Sequence, residues 1–166
     1  MVADTPPSLV LDANVLIDYW HGNRILLSRI SIHVAPICIP SPVLEEVEQL
    51  TPRLCKQLKI EVVEPSLTQL MAAAQQRGGL SLEDRLCLLL AKERRAACGT
   101  NDRRMRRECE VEGIPVLWGL EPLIQLVTDG HVTAKSARIV VERMRIANPR
   151  FITQKIVDDF SAKIDR

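Results

Sequence analysis

The 166-residue chain reads as an α/β domain, a parallel sheet with helices on both faces, followed by a tail of helices only. Three observations carry that reading. Short apolar runs alternate with longer segments of helical character, the order that yields crossover connections and a parallel sheet. Leu9-Val10-Leu11 runs straight into Asp12, as a buried parallel strand does when its carboxyl end faces a ligand crevice. From residue 119 onward no strand pattern recurs, and Ile152, Ile156, Phe160 and Ile164 repeat at intervals of four, one stripe of a helix.

The elements follow from periodicity and breakers. Residues 8–12 are predicted as a strand and 14–20 as a short helix, broken by His21-Gly22, with 23–31 as a further turn or two of helix. A strand is placed at 32–39, with Pro36 and Pro40 as its bounds. Ser41-Pro42 is a good helix start, so a helix is expected over 42–50 and a short one after Pro52. Residues 59–63 alternate like a strand and end at Pro65. Ser66 caps a helix to about Gln76, stopped by Gly78-Gly79. Ser81 caps the next, to about Arg95, with Glu83-Asp84 in its first turn, where carboxylates suit the helix dipole. A buried strand over 96–100, a helix over 102–112 ended by Gly113, and a last strand over 114–117 complete the alternation. Residues 1–130 are read as the main domain and 131–166 as a helical extension packed on it or on a partner.

Composition narrows the function classes. Apolar residues make up 46% and charged residues 26%, ordinary for a globular domain, while aromatics at 3% argue against recognition by an extended aromatic stacking surface. The net charge of +1 hides a segregation. Residues 85–107 carry Arg85, Lys92, Arg94, Arg95, Arg103, Arg104, Arg106 and Arg107 against Glu93 and Asp102 only. Such a stretch is either a solvated helix face or a phosphate-binding patch. The five cysteines form no CxxC pair and sit mostly in apolar segments, as reduced buried thiols do, and the three histidines have no zinc spacing. No secretory leader pattern and no apolar run of membrane length is present, so a cytoplasmic location without membrane contact is expected.

Asp12 is costly to bury unless something pairs with it. Other acids fall at matching places. Thr100-Asn101-Asp102 follows a second strand, Asp84 begins a helix, and Glu45 and Glu46 lie one turn into the helix after the strand at 32–39. Singly, each has a plain explanation: Asp102 as a helix cap, Asp84 as a dipole partner, Glu46 as a solvated residue. Together they suit a hard divalent cation, because the donors are oxygen only. A cation relieves the repulsion among converging carboxylates, and it can polarise a phosphoryl oxygen and generate a hydroxide. That chemistry hydrolyses phosphodiesters and needs no protein nucleophile. A phosphatase of the HAD type also begins on a strand-end aspartate, but it wants a second aspartate where Asn14 stands.

At these residues the chain resembles the PIN domain family and, within it, VapC-type toxins of bacterial toxin–antitoxin systems. The matching segments are Leu-Asp-Ala-Asn-Val-Leu-Ile-Asp (11–18), Pro-Ser-Pro-Val-Leu-Glu-Glu-Val (40–47), Leu-Ser-Leu-Glu-Asp-Arg-Leu-Cys-Leu-Leu-Leu-Ala-Lys-Glu (80–93) and Thr-Asn-Asp-Arg-Arg-Met-Arg (100–106), covering roughly residues 8–127. The resemblance implies a three-layer α/β sandwich and an Mg²⁺- or Mn²⁺-dependent endoribonuclease acting on single-stranded or structured RNA. It places the family's acids on Asp12, Glu46, Asp84 and Asp102, with Asp12, Asp84 and Asp102 as metal ligands; Glu45 is the alternative to Glu46. Asn14 and Thr100 match polar positions that support the ligands by hydrogen bonds, and Asn101 is grouped with them. Arg85, Arg94, Arg95, Arg103, Arg104, Arg106 and Arg107 are the candidate RNA contacts. Arg85 departs from the pattern, since many relatives carry a small residue there, and the tail beyond about residue 130 exceeds the compact toxin length. An antitoxin that blocks the acidic groove and a homodimer are further expectations. An inactive PIN scaffold that grips a partner protein, and a housekeeping nuclease without an antitoxin, are the alternatives.

Overall fold

In the computed structural model, residues 5–166 are described; the first four residues of the predicted 1–130 domain lie outside the described residues. The elements run β1 (Leu9–Leu11), α1 (Ala13–Asn23), α2 (Ile25–His33), β2 (Ile37–Pro40), α3 (Val43–Glu46), α4 (Pro52–Gln57), β3 (Ile60–Val63), α5 (Leu67–Gln75), α6 (Leu82–Arg94), β4 (Ala97–Gly99), α7 (Arg103–Glu112), β5 (Val116–Leu117), α8 (Glu121–Thr128), α9 (Ala134–Ala147) and α10 (Gln154–Ile164). The five strands form one all-parallel sheet in the order β3-β2-β1-β4-β5. The chain therefore winds from β1 outward to β3, then returns past β1 to add β4 and β5. Right-handed crossovers in opposite directions put the connecting helices on opposite faces. α6 lies across β1, β2 and β4, with α5 and α7 beside it, and α2 packs on β2 and β3 in a second group with α1, α8 and α9. The result is the three-layer α/β sandwich. β1 lies at its centre with all three residues fully buried, which is why it reads as an unbroken apolar run.

Caps set most helix starts. Side-chain oxygens of Asp12, Thr51, Ser66, Ser81, Asp102, Thr133 and Thr153 each accept a hydrogen bond from a backbone N–H in the first turn of the helix that follows. At Ser66 the box is reciprocal, because Gln69 Oε1 accepts from the Ser66 N–H in return.

Three expectations are corrected by tertiary packing. The helix expected to break at His21-Gly22 continues to Asn23. Gly22 is there because α9 crosses close by: a Cβ on it would sit 2.8 Å from Val140 Cγ1 and 3.0 Å from Met144. The strand expected over 32–39 begins only at Ile37, since α2 runs to His33 and the N–H groups of Val34 and Ala35 both donate to Ile30 O. The helix expected over 42–50 is a single turn, Val43–Glu46; Val47 leaves helical geometry at φ −115° and ψ 82°, and both it and Leu50 are buried.

The tail closes on the body. α9 lies along α1, and α10 packs against α8 and α9. Ile152 and Phe160 of the apolar stripe are buried, with Ile156 and Ile164 packed against the same core. Among the described residues no helix is long and apolar enough to cross a membrane.

The close approach at Gly22 has a measurable consequence. Gly22→Val should lower stability by about 1–3 kcal/mol, the usual cost of overpacking a filled contact. The check is a lower urea midpoint at an unchanged m-value. An unchanged midpoint would mean that α1 and α9 leave room between them.

Candidate active site

Strand order reverses between β1 and β4, and an open parallel sheet has its crevice at the carboxyl ends of the strands at such a point. Two acidic segments meet there. Asp12 follows β1, Asp102 follows β4, and the Asp12 N–H donates to Gly99 O at 3.2 Å, lacing the two strand ends together. Asp12 is only 2% exposed. Its Oδ1 accepts from the Val15 N–H at 2.9 Å, and its Oδ2 accepts from the Thr100 hydroxyl at 2.5 Å. Thr100 Oγ1 in turn accepts from the Asp102 N–H at 3.0 Å, and Asp102 Oδ1 accepts from the Met105 N–H at 2.9 Å. Both aspartates thus cap helices, and one buried threonine hydroxyl links them.

The other acids arrive from the neighbouring helix starts. Ser81 Oγ accepts from the Asp84 N–H at 3.1 Å, fixing the first turn of α6. Ala13, Asn14, Ile17, Glu46, Ser81 and Asp84 line an open groove of about 370 Å³. Both Glu45 and Glu46 are exposed, but of the two Glu46 lines this groove. Burial pushes Asp12 up to about 6 against the hydrogen bonds from Thr100 and Val15, with Asp84 and Asp102 adding like-charge repulsion. Partial withdrawal from water, then the Glu83 and Asp84 carboxylates, push the rim residue Glu46 up to about 7. Burial also raises Asp84, opposed by its bonds to Ser81 and reinforced by Asp102 and Glu83. Glu83, which comes within hydrogen-bonding reach of Glu46, was legible only as a helix-dipole partner.

Asp12, Asp84 and Asp102 are near enough for their charges to interact. They do not close into a cage: among the described residues no three His, Cys, Asp or Glu side chains could hold a metal ion jointly. The donors that are present fit an ion that keeps most of its waters and takes one or two carboxylates, the habit of Mg²⁺. They are oxygens only, they repel one another as they stand, and they border a groove open to water.

The polar supports divide. Thr100 bonds directly to Asp12, and Asn14 lines the groove. Asn101 serves the scaffold: its Oδ1 accepts from the Gly119 N–H at 2.9 Å, and its amide reaches Asp18 Oδ2 at 3.5 Å. Asp18, 3% exposed, also accepts from the Asn148 amide at 2.8 Å, and burial raises its carboxyl despite both bonds. This buried acid joins α1 to the end of α9 beside the site. In the sequence it stood only as the last residue of the 11–18 motif, with no role given to it.

The basic stretch does not form one patch. Arg85 Nη1 and Nη2 donate to Ala73 O and Gly78 O at 3.0 and 3.2 Å, bracing the connection from α5 to α6. Arg94 and Arg95 end α6, and β4 starts just after them, so they lie at the amino edge of the sheet, away from the acids. Arg94 there forms a two-bond pair with Glu61, at 3.0 and 3.2 Å. Arg103, Arg104, Arg106 and Arg107 belong to the start of α7 beside Asp102. Of these, Arg104 reaches Gly79 O at 3.4 Å, Arg106 stacks on Trp118, and Arg103 and Arg107 are exposed.

Two outcomes follow. Folded Asp12 keeps its proton to a higher pH than the unfolded chain does, so between 3.8 and about 6 the folded state binds more protons. Stability therefore falls as pH rises through that window, by on the order of 3 kcal/mol from this group. Metal-free protein should melt progressively lower from about pH 4 to about pH 7, and Asp12→Asn should remove part of that slope and melt above the parent at about pH 8. Identical slopes in the two proteins would contradict the buried charge. Arg85→Ala should cost about 1–3 kcal/mol of stability through the freed carbonyls while leaving the salt dependence of any nucleic-acid binding unchanged, measured by urea unfolding and by salt titration.

The sequence matches the family DUF3368, described as a PIN domain, over residues 8–166. The match takes in every element from β1 to α10. A search of curated proteins finds no match. PIN domains are generally nucleases and generally use divalent metal ions, in keeping with an acidic groove at the switch point of this sheet. On the match and the architecture together, the chain belongs to the PIN domain family.

Proposed function

We propose that the chain is a divalent-metal-dependent endoribonuclease that hydrolyses phosphodiester bonds of single-stranded RNA. The observation that carries this reading is the set of carboxyl groups Asp12, Glu46 and Asp84, raised first by burial and further by one another's charges, with Asp102 beside them, at the carboxyl edge of a parallel sheet. Of Asp12, Asp84 and Asp102, one or two would hold an Mg²⁺ or Mn²⁺ ion directly and the others through its waters. Bound there, the ion supplies Lewis-acid activation of water and charge neutralisation at the phosphate. Glu46, pushed up to about 7, is matched to accept a proton from water near neutral pH. Thr100 holds the Asp12 carboxylate in one orientation. Arg103 and Arg107, exposed on the helix that Asp102 caps, supply cations for flanking phosphates, a contact that positions the strand without reading its sequence.

The narrower role, the toxin of a toxin–antitoxin pair acting in the cytoplasm as a homodimer, is proposed on the sequence resemblance alone. It predicts a small protein encoded next to this chain whose co-expression blocks the acidic groove and stops cleavage.

Asp12→Asn should reduce cleavage of single-stranded RNA by about a hundredfold or more while circular dichroism stays that of the parent. EDTA should stop the parent, and added Mn²⁺ should restore it. Full activity in the variant or in EDTA would refute the metal mechanism. Arg103→Ala should weaken RNA binding at every sequence and lower the slope of log affinity against log salt by about one.

A further inference from the structure

We propose that Trp118 and Arg106 form a stacking platform for one nucleobase of a single-stranded nucleic acid, on the flank of the acidic groove; this rests on the nuclease reading above. The topology puts the pair there. Trp118 follows Leu117 of β5, and β5 runs parallel beside β4, so the indole emerges at the same sheet edge as Asp102. The Thr100 N–H donates to Leu117 O at 3.1 Å, binding the two exits together. Arg106 lies one turn into α7, its N–H donating to the Asp102 carbonyl at 3.0 Å. The guanidinium sits 3.5 Å from the centre of the Trp118 ring.

Packing does not account for the indole. Tyr19 and Phe160 are buried in the core, but Trp118 is 48% exposed. A large flat apolar side chain left in water is costly, and this one is held still. The Arg106 guanidinium stacked on it restrains the ring, and hydrogen bonds fix its backbone: the Trp118 main-chain N–H donates to Glu121 Oε2 at 2.6 Å, the Gly119 N–H donates to Asn101, and Gly119 O accepts from the Tyr19 hydroxyl at 2.7 Å. The turn is also tight: a Cβ on Gly119 would lie 2.6 Å from Asn101 Nδ2. Such a ring is offered with little ordering cost left for binding. Arg106 makes no ion pair among the described residues, and its buried Nη1 has no hydrogen-bond acceptor there. The Asp102 and Glu110 carboxylates act on its charge only from a distance, so the guanidinium keeps its place on the indole without a carboxylate in contact. An aromatic ring paired with a guanidinium that contacts no carboxylate, beside the acidic groove, suits an unstacked base and its phosphate. The low aromatic content excludes an extended stacking surface and leaves room for a single-base platform.

The test uses Asp12→Asn to prevent cleavage and Trp20→Phe to leave Trp118 as the only tryptophan. Oligoadenylate of about 8 nucleotides, as RNA and as DNA, is titrated while indole fluorescence is read. Binding of the RNA should quench Trp118, and a comparable quench by the DNA supports a contact to the base rather than to the 2′-hydroxyl. With Trp118 intact as reference, Trp118→Ala should weaken binding about tenfold at an unchanged salt slope. Trp118→Phe should recover most of the loss and Trp118→Leu little of it, which separates stacking from mere hydrophobic packing. RNA that binds without quenching, and with equal affinity for the Trp118→Ala protein, overturns the platform and leaves the nuclease reading standing. Absence of RNA binding by every variant at low salt overturns both.

Discussion

The Asp12 carboxylate, buried between the Val15 N–H and the Thr100 hydroxyl, is the interaction on which the rest of the site depends. It starts α1, fixes the end of β1 against the end of β4, and through Thr100 sets the backbone of Asp102. All of this occurs where the strand order reverses, the point at which a parallel sheet leaves a crevice at its carboxyl edge. The arrangement opposes stability in the metal-free chain. A buried acid is surrounded by acids, and only two hydrogen bonds from protein donors hold it charged. Capping alone would be met more cheaply by asparagine, whose Oδ1 could accept from the Val15 N–H and whose amide could donate to Thr100 Oγ1 without a buried charge. A carboxylate there has its reason in what it can bind.

The C-terminal helices are part of this geometry. α9 approaches α1 closely at Gly22, and Asn148 at its end donates to Asp18 on the same helix that Asp12 begins. Asn101 completes the link by bridging Asp18 and the Gly119 turn. The orientation of the Thr100–Asp102 segment thus depends on α1, on the exit of β5 and on the last turn of α9. Two half-buried amides and one buried aspartate carry that dependence, and each is hydrogen-bonded, as burial of polar groups demands.

Local physics was legible in the chain. Apolar runs ending in an acid gave β1 and Asp12, and the capping residues Ser66 and Ser81 placed α5 and α6 within a residue of their observed starts. Strand ends and helix starts pointed to Asp12, Asp84 and Asp102 and to the pair Glu45 and Glu46; only the family resemblance preferred Glu46. Features that arise from distant parts of the chain were not legible. Gly22 looks like a breaker until α9 is laid against it. Val47 looks helical until the core draws it inward. The basic stretch reads as one patch because sequence does not show that α6, rising about 1.5 Å per residue, carries Arg94 to the opposite edge of the sheet from Asp84. Trp118 is unremarkable in a list of residues; its meaning comes from β5 lying beside β4.

The central claim is that these carboxylates are gathered for a divalent cation, and thermal unfolding with and without Mn²⁺ near neutral pH tests it most directly. An ion that binds the folded state and not the unfolded one raises the melting temperature with its concentration. The account predicts a concentration-dependent rise in the parent protein that is largely lost in Asp12→Asn, even though that variant is the more stable of the two without metal. No rise in the parent, or an equal rise in both proteins, would contradict it.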